Sequence, residues 1–459
     1  MEGDDRSALT VLGPPKTEPH LLAALLRHAS RRQLLRTFSA ATAALWAIVL
    51  LRAANSVQPI EAPARDSVQE YLMAKAIVAG ISPYLPMPAL GERFLGPVEG
   101  YLLPHPSPHP PTLALLSLPL ALMDYRSVTL LWCAAELLCL AATVRLILRA
   151  HGAHASPTVI VITSAALALW FPVREDLAWN QVMLPMLAVL GYAQYSLMAG
   201  RYARGGCLLG LSLLIKPIAW PVVLLLAFRQ RWAAVVSAAA TAAAAYLAAV
   251  LVLGPNCVLT YFTKVAPQVG YIYRGVSSNL SLWSVGWRLL EGTGCSIWAS
   301  PTAPPLFRAP LLASTVSVLL PGACVLLGLA VAWRCRLSLE SSLGLMICLS
   351  ILASPIVWNH YMVLLLLPAS YVVHTLVKQG LPRSRTNIAL ALAVPLAIHD
   401  DMWMGAALHL GGSSGASGTP PAIAFGPSLL TFMPTLSIIG LACFIALLGS
   451  RAYIERTGT

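Results

Sequence analysis

Apolar runs separated by short polar connections repeat along nearly the whole chain. Their lengths suit helices that cross a bilayer, or parts of such helices, better than core helices. The pattern predicts apolar helices at 37–54, 127–148, 156–172, 181–199, 232–253, 310–333, 340–354, 357–376, 386–400 and 427–448. A further apolar stretch of 24 residues lies between Arg204 and Arg229 and is interrupted by Lys216-Pro217. Proline removes a backbone donor and turns the preceding residue away from helix, so a break is encoded there. Counting that stretch as a broken helix pair gives about 12 hydrophobic helices.

Three longer connections remain, at 55–126, 254–309 and 400–426. In the first, Tyr71–Ile81 reads as an amphipathic helix ended by Gly80. The proline-rich run from Pro104 to Pro111 follows, and then the short apolar segment Thr112–Met123, suited to a helix lying in the membrane interface. The Gly/Ser-rich run Gly411–Gly418 reads as a loop. No internal repeat is visible. The organisation expected is one transmembrane domain over 37–448, flanked by a polar tail at 1–36 and a short tail at 449–459.

Composition agrees with this. The chain is 58% hydrophobic and only 10% charged, which excludes a soluble globular domain. No cleavable signal sequence is recognisable at the N-terminus. The net charge of +12 could indicate a nucleic-acid binder, but the positions of the cations exclude that reading. They fall before the first span (Arg27, Arg31, Arg32, Arg36) and in short connections (Arg145/Arg149, Arg201/Arg204, Arg229/Arg231, Arg334/Arg336, Lys378/Arg383/Arg385) or at the C-terminus (Arg451/Arg456). This is the positive-inside pattern. It places these connections and both tails in the cytoplasm, and the three large loops outside. Because both ends of the Lys216-Pro217 stretch are basic, that stretch enters and returns rather than crossing once. The expected location is a plasma or inner membrane, crossed many times. The nine cysteines are scattered, and only Cys257 and Cys295 share a large loop where they can pair.

Ionisable groups at membrane depth are costly and mark function by default. On this map they gather on one side: Asp66 and Glu70; Arg174, Glu175, Asp176, Asn180 and Gln181; Trp358, Asn359 and His360; His399, Asp400 and Asp401. Lys216 reaches the same side from its broken helix. A carboxylate can strip a proton from an attacking hydroxyl, and Lys, His and Arg can neutralise a phosphate leaving group. Plainer roles stand beside these. Asp66 also suits a helix N-cap, and Glu70 reads as a solvated helix-face residue. Asp176 reads either as a cap or as a partner of Arg174. Lys216 can snorkel to an interface, and His360 can be an interfacial residue in a turn. His105 and His109, in a proline-rich spacer without a nearby acidic partner, make a weak metal site. Asn279-Leu280-Ser281 matches a glycosylation sequon.

Five segments in order resemble glycosyltransferase family 87, the polyprenyl-phosphate-mannose-dependent α-mannosyltransferases of the GT-C superfamily. They are Asp66-Ser67-Val68-Gln69-Glu70-Tyr71 running on to Gly80-Ile81-Ser82-Pro83-Tyr84; His109-Pro110-Pro111-Thr112; Asn180-Gln181-Val182; Gly205-Gly206-Cys207-Leu208-Leu209-Gly210-Leu211 leading to Lys216-Pro217; and Ser354-Pro355-Ile356-Val357-Trp358-Asn359-His360-Tyr361. Asn180 stands where the family has Gly, Met183 where it has Asn, and His109 where Tyr is common. The resemblance implies a GT-C-type fold, all-α and polytopic, whose outer loops carry interfacial helices. It implies an inverting transfer of mannose from a polyprenyl-phosphate donor to an envelope glycolipid or glycan. Asp66 would be the general base, and His360 and Lys216 would contact the donor phosphate. Gln181, Asn180, Trp358 and Tyr71 would contact substrate. A lipid donor needs no nucleotide-binding motif, and none is present. Some GT-C enzymes use a divalent cation; the acidic residues here lack tight ligand spacing, so no metal and no other cofactor is expected. The runner-up is a transporter or lipid-linked sugar flippase built around the Lys216 break.

Overall fold

The computed structural model describes residues 65–97, 102–295, 297, 300–413 and 420–457. The expected N-terminal tail, the span at 37–54 and most of the Gly411–Gly418 run lie outside them. Along the described chain come α1 (Val68–Val78), α2 (Met87–Leu95), α3 (Pro111–Leu116), α4 (Tyr125–Ala150), α5 (Pro157–Ala168), α6 (Phe171–Trp179), α7 (Met183–Met198), α8 (Tyr202–Ile215), α9 (Trp220–Phe228) and α10 (Trp232–Leu253). Then follow α11 (Pro255–Thr260), α12 (Ala266–Tyr273), α13 (Leu282–Leu290), α14 (Pro310–Arg334), α15 (Leu339–Leu352), α16 (Leu366–Lys378), α17 (Arg383–Ala397), α18 (Asp400–Gly411), α19 (Phe425–Ser428) and α20 (Met433–Thr457). The one sheet in the described residues is a two-residue pairing of Gly412–Ser413 with Ala422–Ile423. The protein is an all-α polytopic membrane protein. Five described helices are long and apolar enough to cross a bilayer, or up to seven segments if each of two bent pairs counts as one.

Those bends shape the site. Helices α5 and α6 meet at 87°, and α17 and α18 at 83°. The expected spans 156–172 and 386–400 each continue into a second, sharply turned helix. Pro172 occupies the first turn of α6, where its missing N–H is harmless and its fixed φ starts the helix. The two bends meet: Trp170 Nε1 donates to the Leu396 carbonyl at 2.8 Å. The break at Lys216-Pro217 is present too, with Lys216 extended (φ −147°, ψ 132°) between α8 and α9.

Helix α8 lies backbone-to-backbone against α10. A Cβ on Gly206 would sit 2.1 Å from the Ala234 carbonyl oxygen, and one on Gly210 would sit 2.7 Å from that of Ala238. Small residues four apart on both helices permit this approach, which holds transmembrane helices together where no hydrophobic drive exists between them. Helices α7 and α15 run through the interior with their apolar side chains buried on most sides.

The basic connections converge at one end of the bundle. Arg229 donates to the Leu337 carbonyl and to Ser342 Oγ. Arg231 stacks on Tyr202, and His151 stacks on His374 while Nε2 meets Ser370 Oγ at 3.3 Å. Two loop expectations need correction. Helix α1 is enclosed rather than amphipathic: Val68, Tyr71, Leu72, Met73 and Ala76 are all buried, because α2, α3 and the segment after α3 pack around it. Thr112–Met123 is two short pieces, α3 and a 3-10 turn at Leu118–Leu122, with Leu116 and Leu122 exposed. Cys257 and Cys295 are unbonded and pack in the same apolar cluster beside α12.

Candidate active site

Asp66 enters the site from the N-terminal end of α1, where its backbone N–H donates to the Trp179 carbonyl at 3.0 Å. It does not cap α1. Ser67 occupies the N-cap position without a side-chain bond, and the Asp66 carboxylate instead accepts from Gln181 Nε2. Burial, aided by the negative charge of Glu70, pushes the Asp66 carboxyl from 3.8 up to about 6; His109, Lys216 and the Gln181 bond oppose the rise. A carboxylate with that pKa is ionised at neutral pH yet holds a proton strongly enough to act as a base.

Gln181 is aimed by a turn between α6 and α7. Asn180 ends α6 in the left-handed region (φ 51°), which Asn tolerates better than most residues. The Gln181 N–H donates back to the Asp176 carbonyl at 3.0 Å, and its own carbonyl accepts from Trp132 Nε1 at 3.1 Å. Asn180 faces away from the cavity, donating to the Thr129 carbonyl and Glu136 Oε2 and accepting from Arg65. Asp176 is a cap: its Oδ2 accepts the Leu184 N–H of α7 at 2.9 Å, and no ion pair with Arg174 forms among the described contacts.

Lys216 is held in the cavity wall by the break that follows α8. Its Nζ donates to Tyr361 Oη at 3.0 Å. His360, one residue earlier, is 5% exposed, and its Nε2 has no hydrogen-bond partner among the described residues. The loop bearing Trp358 and His360 is clamped by Asn279, whose Nδ2 donates to the Pro355 carbonyl (3.1 Å) and whose Oδ1 accepts the Val357 N–H (3.0 Å). Asn279 is wholly buried, so the sequon is part of the scaffold. Trp358 sits edge-on to Tyr273, with ring centroids 5.3 Å apart.

The proline-rich loop closes the opposite wall. Tyr84 Oη donates to the His109 carbonyl (3.0 Å), Tyr261 Oη to that of Pro108 (3.1 Å), and Ser107 Oγ to Gln69 Oε1 (3.1 Å). Together these elements enclose a cavity of about 260 Å³. Of the residues singled out in the sequence, Asp66, Gln181, Lys216, Trp358 and His360 line it, while Asn180 and Tyr71 do not. Tyr71 packs in the core against Tyr125, with centroids 5.3 Å apart.

His105 and His109, read in the sequence only as a weak metal pair, also line the cavity, and Glu70 lies just behind it. His105 Nε2 meets Tyr273 Oη at 2.6 Å, and burial holds the His105 ring below its ordinary pKa. Glu70, expected on a solvated face, is 1% exposed and lies 2.5 Å from His109 Nδ1. The acidic partner thought missing from the two loop histidines is therefore Glu70. One available signal was its place in the first turn of the helix that Asp66 leads into, close to Asp66 along the chain.

Behind the Trp358–His360 loop, Glu175, His399 and Asp400 each offer a ligand atom within 4.8 Å of the others. Both His399 nitrogens already face carboxylates, Nε2 to Glu175 at 2.5 Å and Nδ1 to Asp400 at 3.0 Å. Asn359 Nδ2 also donates to Asp400, at 2.6 Å. This arrangement is a carboxylate–imidazole–carboxylate chain tying α6 to α18. The three side chains contact one another directly, so the cluster joins the two bent helix pairs.

The profile of glycosyltransferase family 87 matches residues 108–357, more than half of the chain. Nothing matches among curated proteins or among solved structures.

Proposed function

The chain belongs to glycosyltransferase family 87, a family of membrane glycosyltransferases, and we propose that it transfers mannose with inversion from a polyprenyl-phosphate donor to a glycolipid or glycan hydroxyl on the extracytoplasmic side. The observation that carries this reading is the pairing of a partly buried, hydrogen-bonded carboxylate, Asp66, with Lys216 and His360 across one cavity. Asp66 takes the acceptor hydroxyl proton as that oxygen attacks the anomeric carbon. The bond from that carbon to the phosphate oxygen breaks on the opposite face, and polyprenyl phosphate leaves. Lys216 and the free edge of His360 meet the charge that develops on the phosphate, and fixed donors in a water-poor cavity are worth most at that moment. Gln181 keeps Asp66 pointed at the acceptor, and Trp358 offers an apolar face to a sugar ring.

A lipid donor has support beside the cavity. An apolar pocket of about 210 Å³ lined by Leu113, Leu116, Leu120, Trp132, Val182 and Ile215 begins one residue from Gln181 and one from Lys216. Family membership favours transfer over the transporter alternative.

The test is label transfer by purified protein in nanodiscs, from radiolabelled polyprenyl-phosphate mannose to a membrane glycolipid extract. Wild type should form a labelled product and Asp66→Asn should not. Label that crosses a liposome membrane without a new covalent product would support transport instead.

A further inference from the structure

An inverting displacement puts the attacking oxygen and the departing phosphate on opposite faces of the anomeric carbon. Groups beside the base therefore meet the acceptor, and groups beside Lys216 and His360 meet the phosphate. We infer that Gln69 binds the acceptor: its Nε2–H donates to an acceptor oxygen next to the hydroxyl that Asp66 deprotonates. This deepens the transfer reading given above and rests on it.

Gln69 stands in the first turn of α1, and its backbone N–H donates to the Asp66 carbonyl at 2.9 Å. Its half-buried side chain lines the same cavity as the base. The direction of its amide is set from behind the cavity wall. Ser107 is wholly buried, and its Oγ accepts the His109 N–H at 3.3 Å. The buried Ser107 proton still needs an acceptor, and among the described residues it finds Gln69 Oε1 at 3.1 Å. An amide nitrogen cannot take that proton, so Oε1 faces Ser107 and Nε2 forms the other arm of the amide. Among the described residues, Nε2 has no hydrogen-bond partner of its own.

The two amides at the base thus have different tasks. Gln181 gives an N–H to the Asp66 carboxylate and holds the base. Gln69 keeps its N–H groups for whatever enters the cavity. Anchoring the proline-rich loop is not a sufficient reason for an amide here, because Tyr84 and Tyr261 already hold the His109 and Pro108 carbonyls. An acceptor with oxygens on adjoining carbons, as in carbohydrates and other polyols, can engage Asp66 and Gln69 together. An isolated alcohol can engage Asp66 alone. The contact therefore helps to choose which hydroxyl is presented to the base.

The test is two-substrate kinetics in nanodiscs with full-length wild type, Gln69→Met and Ser107→Ala. Short-chain polyprenyl-phosphate mannose and a glycolipid extract are varied in turn. Gln69→Met keeps the volume and loses the donors, so kcat/KM for the acceptor should fall about 10-fold with the donor KM unchanged. Ser107→Ala removes the anchor but keeps the donors, and should cost no more than about threefold. Gln69→Glu keeps the Ser107 bond without any N–H; it should lose at least as much as Gln69→Met, and replaces that variant should it fail to fold. An acceptor kcat/KM within about twofold of wild type in Gln69→Met, a matching rise in its donor KM, or an equal loss in Ser107→Ala overturns the role. If wild type labels a product, Asp66→Asn does not, and one of those results appears, this inference alone falls. If wild type transfers nothing, the transfer reading falls and takes this inference with it.

Discussion

Replacing Asp66 by Asn should abolish transfer and at the same time make the protein more stable at neutral pH. The folded environment holds the carboxyl at about 6 against an ordinary value of 3.8, with burial the main cause and Glu70 the next. In the unfolded chain the same group ionises near 3.8. The sign follows: the folded state binds the Asp66 proton more tightly, so stability falls as pH rises from about 4 through about 6. Below that window the group contributes nothing. Above it the full penalty applies, about two pH units or roughly 3 kcal/mol. That figure is an upper one, because the carboxylate opens onto the cavity and its water. Asn cannot ionise, keeps an oxygen that accepts the Gln181 bond, and removes little volume.

Thermal unfolding in detergent at pH 4.5 to 8 would measure this. The Asp66→Asn midpoint should exceed wild type by only about 1 °C at pH 4.5 and by roughly 3 °C at pH 8, since a chain of this size converts each kcal/mol into about one degree. A variant with a lower midpoint at pH 8, or with a gap independent of pH, would refute the claim that the folded site disfavours the ionised base.

Two further expectations follow from the same geometry. Lys216→Met removes a cation that favours ionised Asp66, so the acidic limb of the transfer rate should move to higher pH and the donor KM should rise; steady-state kinetics between pH 5 and 8 would show both, and an unmoved limb would return Lys216 to a packing role. Tyr71→Phe should leave transfer within about twofold of wild type, because the ring packs on Tyr125 outside the cavity; a large kcat loss would bring Tyr71 back to the substrate.

The helices were legible because their signals are local. The start and end of α10 agree with the apolar run at 232–253, and Lys216-Pro217 announced its own break through proline chemistry. The side chains that line the cavity were less legible, for reasons of distance along the chain. Whether Glu70 is solvated depends on His109, 39 residues away in a loop with no periodic signal. Tyr273 reaches His105 across 168 residues, and Asn279 was indistinguishable from a sequon until the Ser354–Val357 segment closed on it. Asn180 follows the same logic. Its motif position suggested a substrate contact, but the left-handed turn it permits sends its side chain to Thr129 and Glu136 and sends Gln181 into the cavity.

Nearly every polar group of the site lies where a helix starts, stops or bends. Asp66 precedes α1, Gln181 joins α6 to α7, Lys216 joins α8 to α9, and His360 follows the Ser354–Trp358 loop after α15. There is a physical reason for this placement. Irregular backbone at membrane depth is tolerated only where its free N–H and C=O groups face a polar cavity or another partner, so a break in an apolar helix and a polar pocket stabilise one another. Each break also has its own local cause: Pro217 after Lys216, left-handed Asn180 before Gln181, and the Asn279 clamp on the Trp358 loop. Substitutions at these causes should therefore move catalytic side chains without touching substrate. Substitutions such as Gly206→Ala, which would drive a Cβ into the Ala234 carbonyl, act on helix packing instead. The chemistry and the stability of this fold are thus written at different positions, the first at the breaks and the second along the helices between them.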